Sequence, residues 1–259
     1  MKEPYLVLVE SEEIKRNKTI SNVSGLYNCI PHIYNTLLKL PFCVGKLAED
    51  DDLNMIKIQD VFQLYIYDFP FKVRNIYSLM EIGSYSDAAI LYRSLIESFI
   101  FYKYYIIKKD GHGLSKYILR ESKKTIKDIF EDVVPGYYND IYSQLCNFTH
   151  SNPLFQGLFR GNVSKEKPLK SNINNINIDW FGYIHNQLIP LIIGVVEMYK
   201  IVFPNNTIKD NDILMEELED VYKFIKDDIN YRKEFFPTQV KMIDYYNKII
   251  KMNLSIDEW

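Results

Sequence analysis

The chain has 259 residues, 47% of them hydrophobic and 25% charged, and a formal net charge of -3 at pH 7. That length supports a substantial core without disulfides or metal, and a charge so close to neutrality excludes a polybasic nucleic-acid coat and an acidic disordered tail. Cys29, Cys43 and Cys146 are odd in number and show no Cys-x-x-Cys spacing, which predicts reduced thiols and a cytoplasmic location.

The opening stretch from Met1 to Glu10 carries only a short apolar run before acidic residues, too little for the core of a signal peptide. The most apolar stretch, Leu188 to Val196, contains Pro190 and is far shorter than the roughly 20 residues needed to span a bilayer. It is expected to be a core helix, with no membrane contact. The 21 tyrosines and abundant Lys, Ile and Asn match AT-rich codons and point to a prokaryotic source.

Apolar residues recur at spacings of three and four, so the fold class is all-α, a bundle of about seven to nine helices. A first helix is expected from about Ser21 to Leu40, with Leu26, Cys29, Ile30, Ile33, Leu37 and Leu40 on one face and a kink at Pro31. A second follows the acidic Glu49 to Asp52 cluster, from about Leu53 to Ile82, and is expected to bend or divide at Pro70. Gly83 to Ser86 reads as a tight turn with Ser86 as N-cap, and a helix from Asp87 to about Lys108 packs back as a hairpin. Asp110-Gly-His-Gly113 should end it. A helix from about Leu114 to Val133 then closes at Pro135-Gly136, and another runs from Tyr137 to Thr149.

Residues 153 to 177 are rich in Gly, Asn, Ser, Lys and Pro and read as a long loop. Helices from about Ile178 to Phe203, Asp210 to Asn230 and Thr238 to Met252 complete the chain. In domain terms, residues 1 to 203 form the helical core and 204 to 259 a C-terminal helical hairpin or cap.

The chemistry-bearing residues cluster on two of these helices. Arg93 and Glu97 are four apart and share a helix face that is otherwise largely apolar, so they pair along the helix and meet protein on at least one side. His150 ends the next long helix, where the helix dipole favours an imidazolium and suits acid-base work. Asn147, Thr149, Ser151 and Asn152 offer hydrogen bonds nearby. The bland alternative is a salt bridge and a capping histidine that lock helix packing. Lys103, Lys108, Lys109, Lys116, Arg120, Lys123, Lys124 and Lys127 form a basic run interleaved with Tyr102, Tyr104, Tyr105 and Tyr117, a pattern that suits phosphates and stacked bases. The alternative there is a solvated face. His32, His112, His150 and His185 are scattered, so no metal site and no cofactor is expected.

The sequence Ala88-Ala-Ile-Leu-Tyr-Arg93-Ser-Leu-Ile-Glu97, followed by Tyr142-x-x-Leu145-x-x-x-x-His150, resembles a widespread prokaryotic helical family that is in turn similar to the HEPN superfamily of small helical nucleases. The resemblance covers about Asp87 to Asn152. It implies a homodimer that binds or cleaves RNA without metal, in a toxin-antitoxin or anti-phage defence module. His150 would be the family histidine, with Asn147 or Thr149 as polar helpers. Ser143, Gln144 and Leu145 stand where the family has its arginine, a departure from its pattern. Under the resemblance Arg93 on the adjoining helix would supply the guanidinium, with Glu97 orienting Arg93 or His150. Expected catalytic residues are thus His150, Arg93, Glu97 and Asn147, and expected RNA contacts are Lys108, Lys109, Lys116, Arg120 and Tyr142. The competing expectation is a non-catalytic interaction module in which Arg93, Glu97 and His150 form a structural network and the acidic C-terminal helix or the 153–177 loop engages a partner protein.

Overall fold

The structure, a computed structural model, describes residues 4–23, 25, 28–43, 45, 52–149, 178–235 and 240–250. Among them are ten α-helices and no strand: α1 (Pro4–Asn22), α2 (Cys29–Lys39), α3 (Leu53–Glu81), α4 (Tyr85–Lys108), α5 (Gly111–Ile118), α6 (Ile126–Val133), α7 (Ser143–Thr149), α8 (Ile178–Val202), α9 (Asp212–Phe235) and α10 (Val240–Ile250). The all-α class is as expected from the spacing of apolar residues. The loop at 153–177 and His150 lie outside the described residues.

Helix α4 is the hub, packing on α3, α5, α6, α7 and α8. It is joined to α3 by the turn at Gly83, whose φ of 76° is open to glycine at little cost. Ser84 N donates to Leu79 O at 2.8 Å, closing the end of α3. The N-cap position of α4 is Ser84 rather than the expected Ser86. Ser84 reaches forward to Asp87 Oδ2 at 2.5 Å, and an acid in the first turn also suits the helix dipole.

Helix α8 is buried on all sides from Leu188 to Met198, the condition for an all-round apolar helix. No helix among the described residues is long and apolar enough to cross a membrane. Helix α10 packs on α8, and α9 packs chiefly on α2, where His32 and Asn35 hold Glu217.

Several boundaries differ from expectation. Helix α1 is additional. Leu6, Val9, Ile14 and Ile20 are all exposed while Ser11 and Thr19 are buried, so no apolar stripe announces it. Thr19 Oγ1 instead donates to the carbonyl of Glu81 at 3.0 Å, at the end of α3. The expected helix from Ser21 begins only at Cys29. Pro31 falls in its first turn, where the missing N–H has no partner to lose, so it does not interrupt the helix.

Pro70 does not divide α3 either. Its ring forfeits one backbone bond, a cost of about 3 kcal/mol, but Pro70 itself and its neighbours Ile66, Phe69 and Val73 are buried. Each such side chain contributes about 1.5–3 kcal/mol, which outweighs the break.

The expected helix from Leu114 to Val133 is two helices. Arg120 adopts φ 60° and ends α5, with Glu121 N donating to Lys116 O at 2.8 Å. Thr125 then starts α6 with a reciprocal capping box to Asp128. The polar stretch Arg120 to Thr125 has no apolar residue to bury and so no reason to stay helical. The expected helix from Tyr137 opens with a π-turn, Tyr138–Tyr142, which sets the face on which Tyr142 points.

Candidate functional site

Arg93 and Glu97 lie one turn apart on α4, and the π-turn and α7 bring Tyr142 and Cys146 against them. Arg93 donates from Nε to Cys146 Sγ at 3.3 Å and from Nη2 to Tyr142 Oη at 2.8 Å. The tyrosine hydroxyl in turn donates to Glu97 Oε2 at 2.7 Å. Arg93 and Glu97 are 3.6 Å apart directly, so Tyr142 is the bridge that completes their pairing. The guanidinium also lies 5.1 Å from the Tyr142 ring centroid, within cation–π range. Phe130, 4.6 Å from that ring, backs it from α6.

Both charged side chains are 23% exposed, whereas Tyr142 is 1% exposed. The cluster is therefore a buried phenol with two half-open charges over it. Burial, then the hydrogen bond to Glu97 and its charge, push the Tyr142 hydroxyl far up, so it stays protonated and serves as a donor. Burial works against the Arg93 cation, but the hydrogen bond to Cys146 and the charges of Tyr142, Cys146 and Glu97 outweigh it and raise its pKa. The guanidinium is fixed in place and permanently charged. That arrangement can stabilise an anion, and it can equally pin two helices together.

Of the residues expected here, Arg93, Glu97 and Tyr142 come together. Tyr142 is not a substrate contact as expected, since its hydroxyl is spent on Arg93 and Glu97 and its ring is buried. Asn147 turns back on its own helix, donating to Ser143 O at 3.4 Å. Lys108, Lys109, Lys116 and Arg120 are exposed, but Lys108 sits about 22 Å along α4 from Arg93 at 1.5 Å per residue. Lys108 and the Arg93 cluster are thus two places rather than one.

The tyrosines of the basic run are not open platforms for bases. Tyr102 stacks on Tyr65 with centroids 4.3 Å apart and Tyr117 on Phe101 at 3.7 Å. Tyr105 is buried. Tyr104 is covered by Lys108 and Lys124, both of which donate to its hydroxyl.

Two residues carry weight that sequence reasoning did not assign. Cys146 accepts from Arg93, and its spacing of four from Tyr142 was the available signal. Lys103 is 1% exposed although it belongs to the basic run, and its position among Phe99, Ile100, Tyr104 and Ile106 marks a core-facing register. A further polar centre lies deeper: Tyr92 and Tyr137 meet at 3.1 Å with Gln187 beside them, and Tyr77 bonds His185 Nδ1 at 2.8 Å. Burial lowers the His185 imidazole to about 3, leaving it neutral. No group of three or more His, Cys, Asp or Glu among the described residues is placed to hold a metal ion. Comparison with known protein families, curated proteins and solved structures yields no match.

Proposed function

We propose that this protein binds or cleaves RNA as a HEPN-like helical homodimer of a toxin-antitoxin or anti-phage module, by metal-independent acid-base chemistry. The observation that carries the reading is the Arg93 guanidinium, held charged and half-open by Tyr142, Glu97 and Cys146 on the helix pair that leads to His150. A cation fixed in advance is what a developing phosphorane charge requires. His150 would act as base toward the 2′-hydroxyl or as acid toward the leaving oxygen, and the exposed Lys109, Lys116 and Arg120 would attract the RNA backbone. The defence setting and the homodimer rest on the resemblance alone. The test is degradation of single-stranded RNA in the presence of a chelator, with Arg93→Ala and His150→Ala expected to abolish it. Intact RNA across a broad substrate panel would overturn the reading.

One observation favours a second reading, a non-catalytic interaction module. The Nε and Nη2 donors of Arg93 already meet protein acceptors, which is how a charge pinning α4 to α7 would be arranged. Under that reading Arg93→Ala lowers the melting temperature, and no RNA is bound or cut.

A further inference from the structure

Lys103 is the one lysine among the described residues that is fully buried. Its Nζ donates to the backbone carbonyls of Ile249, at 2.6 Å, and of Lys248, at the last turn of α10. No carboxylate among the described residues pairs with it. The end of a helix attracts a cation, which accounts for those two bonds. An ammonium has three donors, and a buried charge is ordinarily paired. The neutral amine is satisfied by those two carbonyls, and the charged form would have a third donor to offer and no carboxylate beside it among the described residues.

An anion that would hold the charged form has a place to sit. Lys103 lines a cleft of about 250 Å³ between the C-terminal half of α4, α6 and α10, together with Tyr104, Lys108, Asp132, Val133 and Lys248. Lys108 donates to Tyr104 Oη at 2.8 Å, and its ammonium lies 4.2 Å from that ring centroid. Lys124 donates to the same hydroxyl from the segment before α6. Both amines share the single carboxylate of Asp132, at 3.5 and 3.3 Å. Lys103, Lys108 and Lys248 therefore line the cleft with Asp132 as its one carboxylate, which Lys124 also engages, and a cleft so charged concentrates anions.

We propose that this cleft is a binding site for a phosphate monoester, its dianionic phosphoryl group seated on Lys103 and flanked by Lys108 and Lys248. Phosphate suits the lining better than carboxylate. The cations that line it are compact lysine ammonium points, with no arginine to offer the planar fork that recognises a carboxylate. The volume lies just below the 300–1,000 Å³ usual for ligand pockets, which fits a small phosphorylated molecule or the terminal phosphate of a short oligonucleotide. The site stands whether or not RNA is cleaved at Arg93, which lies elsewhere on α4.

Burial brings the Lys103 amine down to about 7, so at pH 8 the free protein holds it mostly neutral. A seated dianion restores the charge, and binding at pH 8 takes up about one proton per site. The groups facing Lys103 in this exchange are Tyr104 and Lys108 from α4, Asp132 from α6, Lys124 before it and Lys248 from α10.

The test is calorimetric titration of the full chain at pH 8 with glycerol 2-phosphate, in two buffers of different ionisation enthalpy. Saturable one-to-one binding tighter than about 1 mM is expected, with uptake of about one proton, and glycerol should not bind. A 5′-phosphorylated dinucleotide beside its unphosphorylated form separates the two sources. If only the phosphorylated dinucleotide matches glycerol 2-phosphate, the site accepts RNA ends, and if it fails the site is confined to small molecules. Lys108→Ala and Lys248→Ala, both on exposed side chains, should each weaken binding about tenfold. Lys103→Met should abolish binding and proton uptake together, and the two surface variants carry the test if it fails to fold. Absence of saturable binding, binding indifferent to both surface variants, or binding without proton uptake would each overturn the proposal.

Discussion

Removing a single hydroxyl, Tyr142→Phe, isolates the bridge at the α4–α7 seam. The phenylalanine ring keeps the packing on Phe130, while the bonds at 2.8 Å from Arg93 and at 2.7 Å to Glu97 disappear. A hydrogen bond to a charged partner contributes about 1.5–3 kcal/mol. Two would sum higher, but Arg93 and Glu97 are each 23% exposed and stay 3.6 Å apart, so water and their direct pairing recover part of the loss. The net cost works out at about 2 kcal/mol, which for a chain of this size lowers the melting temperature by about 4–8 °C. Urea denaturation should move to a lower midpoint at unchanged slope, since the exposed surface on unfolding is the same. A cycle with Glu97→Gln should show coupling of about 1 kcal/mol, as for any pair sharing a bond network. A loss below about 0.5 kcal/mol, or additive effects in the cycle, would refute Tyr142 as the bridge.

Further outcomes follow from burial elsewhere. His185 is neutral in the fold, its imidazole lowered from 6.5 to about 3 by burial. The unfolded chain binds a proton near pH 6.5 and the folded one does not, so stability is full above pH 6.5 and falls as the pH drops toward 3. The slope is about 1.4 kcal/mol per pH unit, or about 2 kcal/mol between pH 6.5 and 5. Urea melts across that range should show it, and His185→Gln, which keeps an acceptor for Tyr77, should flatten it. An unchanged slope in that variant would exclude a buried neutral histidine. At Gly111 a Cβ would lie 2.1 Å from the backbone oxygen of Asn54, so Gly111→Ala must push α5 off the start of α3. A loss of about 2 kcal/mol is expected, with weakening of the bond from His112 N to Asn54 Oδ1 at 3.1 Å. A thermal melt matching the parent chain would mean that the two helix starts do not meet.

The helical class was legible because burial in a bundle needs a repeat of three and four, and the long elements from Leu53, Asp87 and Ile178 show it plainly. Helix α1 was not, because Ser11 and Thr19 occupy its buried face and its apolar residues are exposed. The break at Arg120 was hidden by apolar residues on both sides of it, although Thr125 with Asp128 three residues on is a start signal. At the site, the four-residue spacing revealed that Arg93 and Glu97 pair. It did not reveal that Tyr142 and Cys146 complete the cluster, since contact between α4 and α7 depends on a π-turn that rotates Tyr142 inward. The basic run misled in a different way. A lysine is ordinarily a surface residue, and only its register among Phe99, Ile100 and Tyr104 distinguishes buried Lys103 from exposed Lys108.

The proposed function comes down to whether Arg93 acts on a substrate or only on its neighbours. Single-stranded RNA incubated with the purified chain in a chelator, beside Arg93→Ala verified as folded by circular dichroism, answers it. Cleavage by the parent chain and none by the folded variant is the outcome expected here. RNA left intact and unbound by the parent chain, with Arg93→Ala changing only the melting temperature, would contradict it.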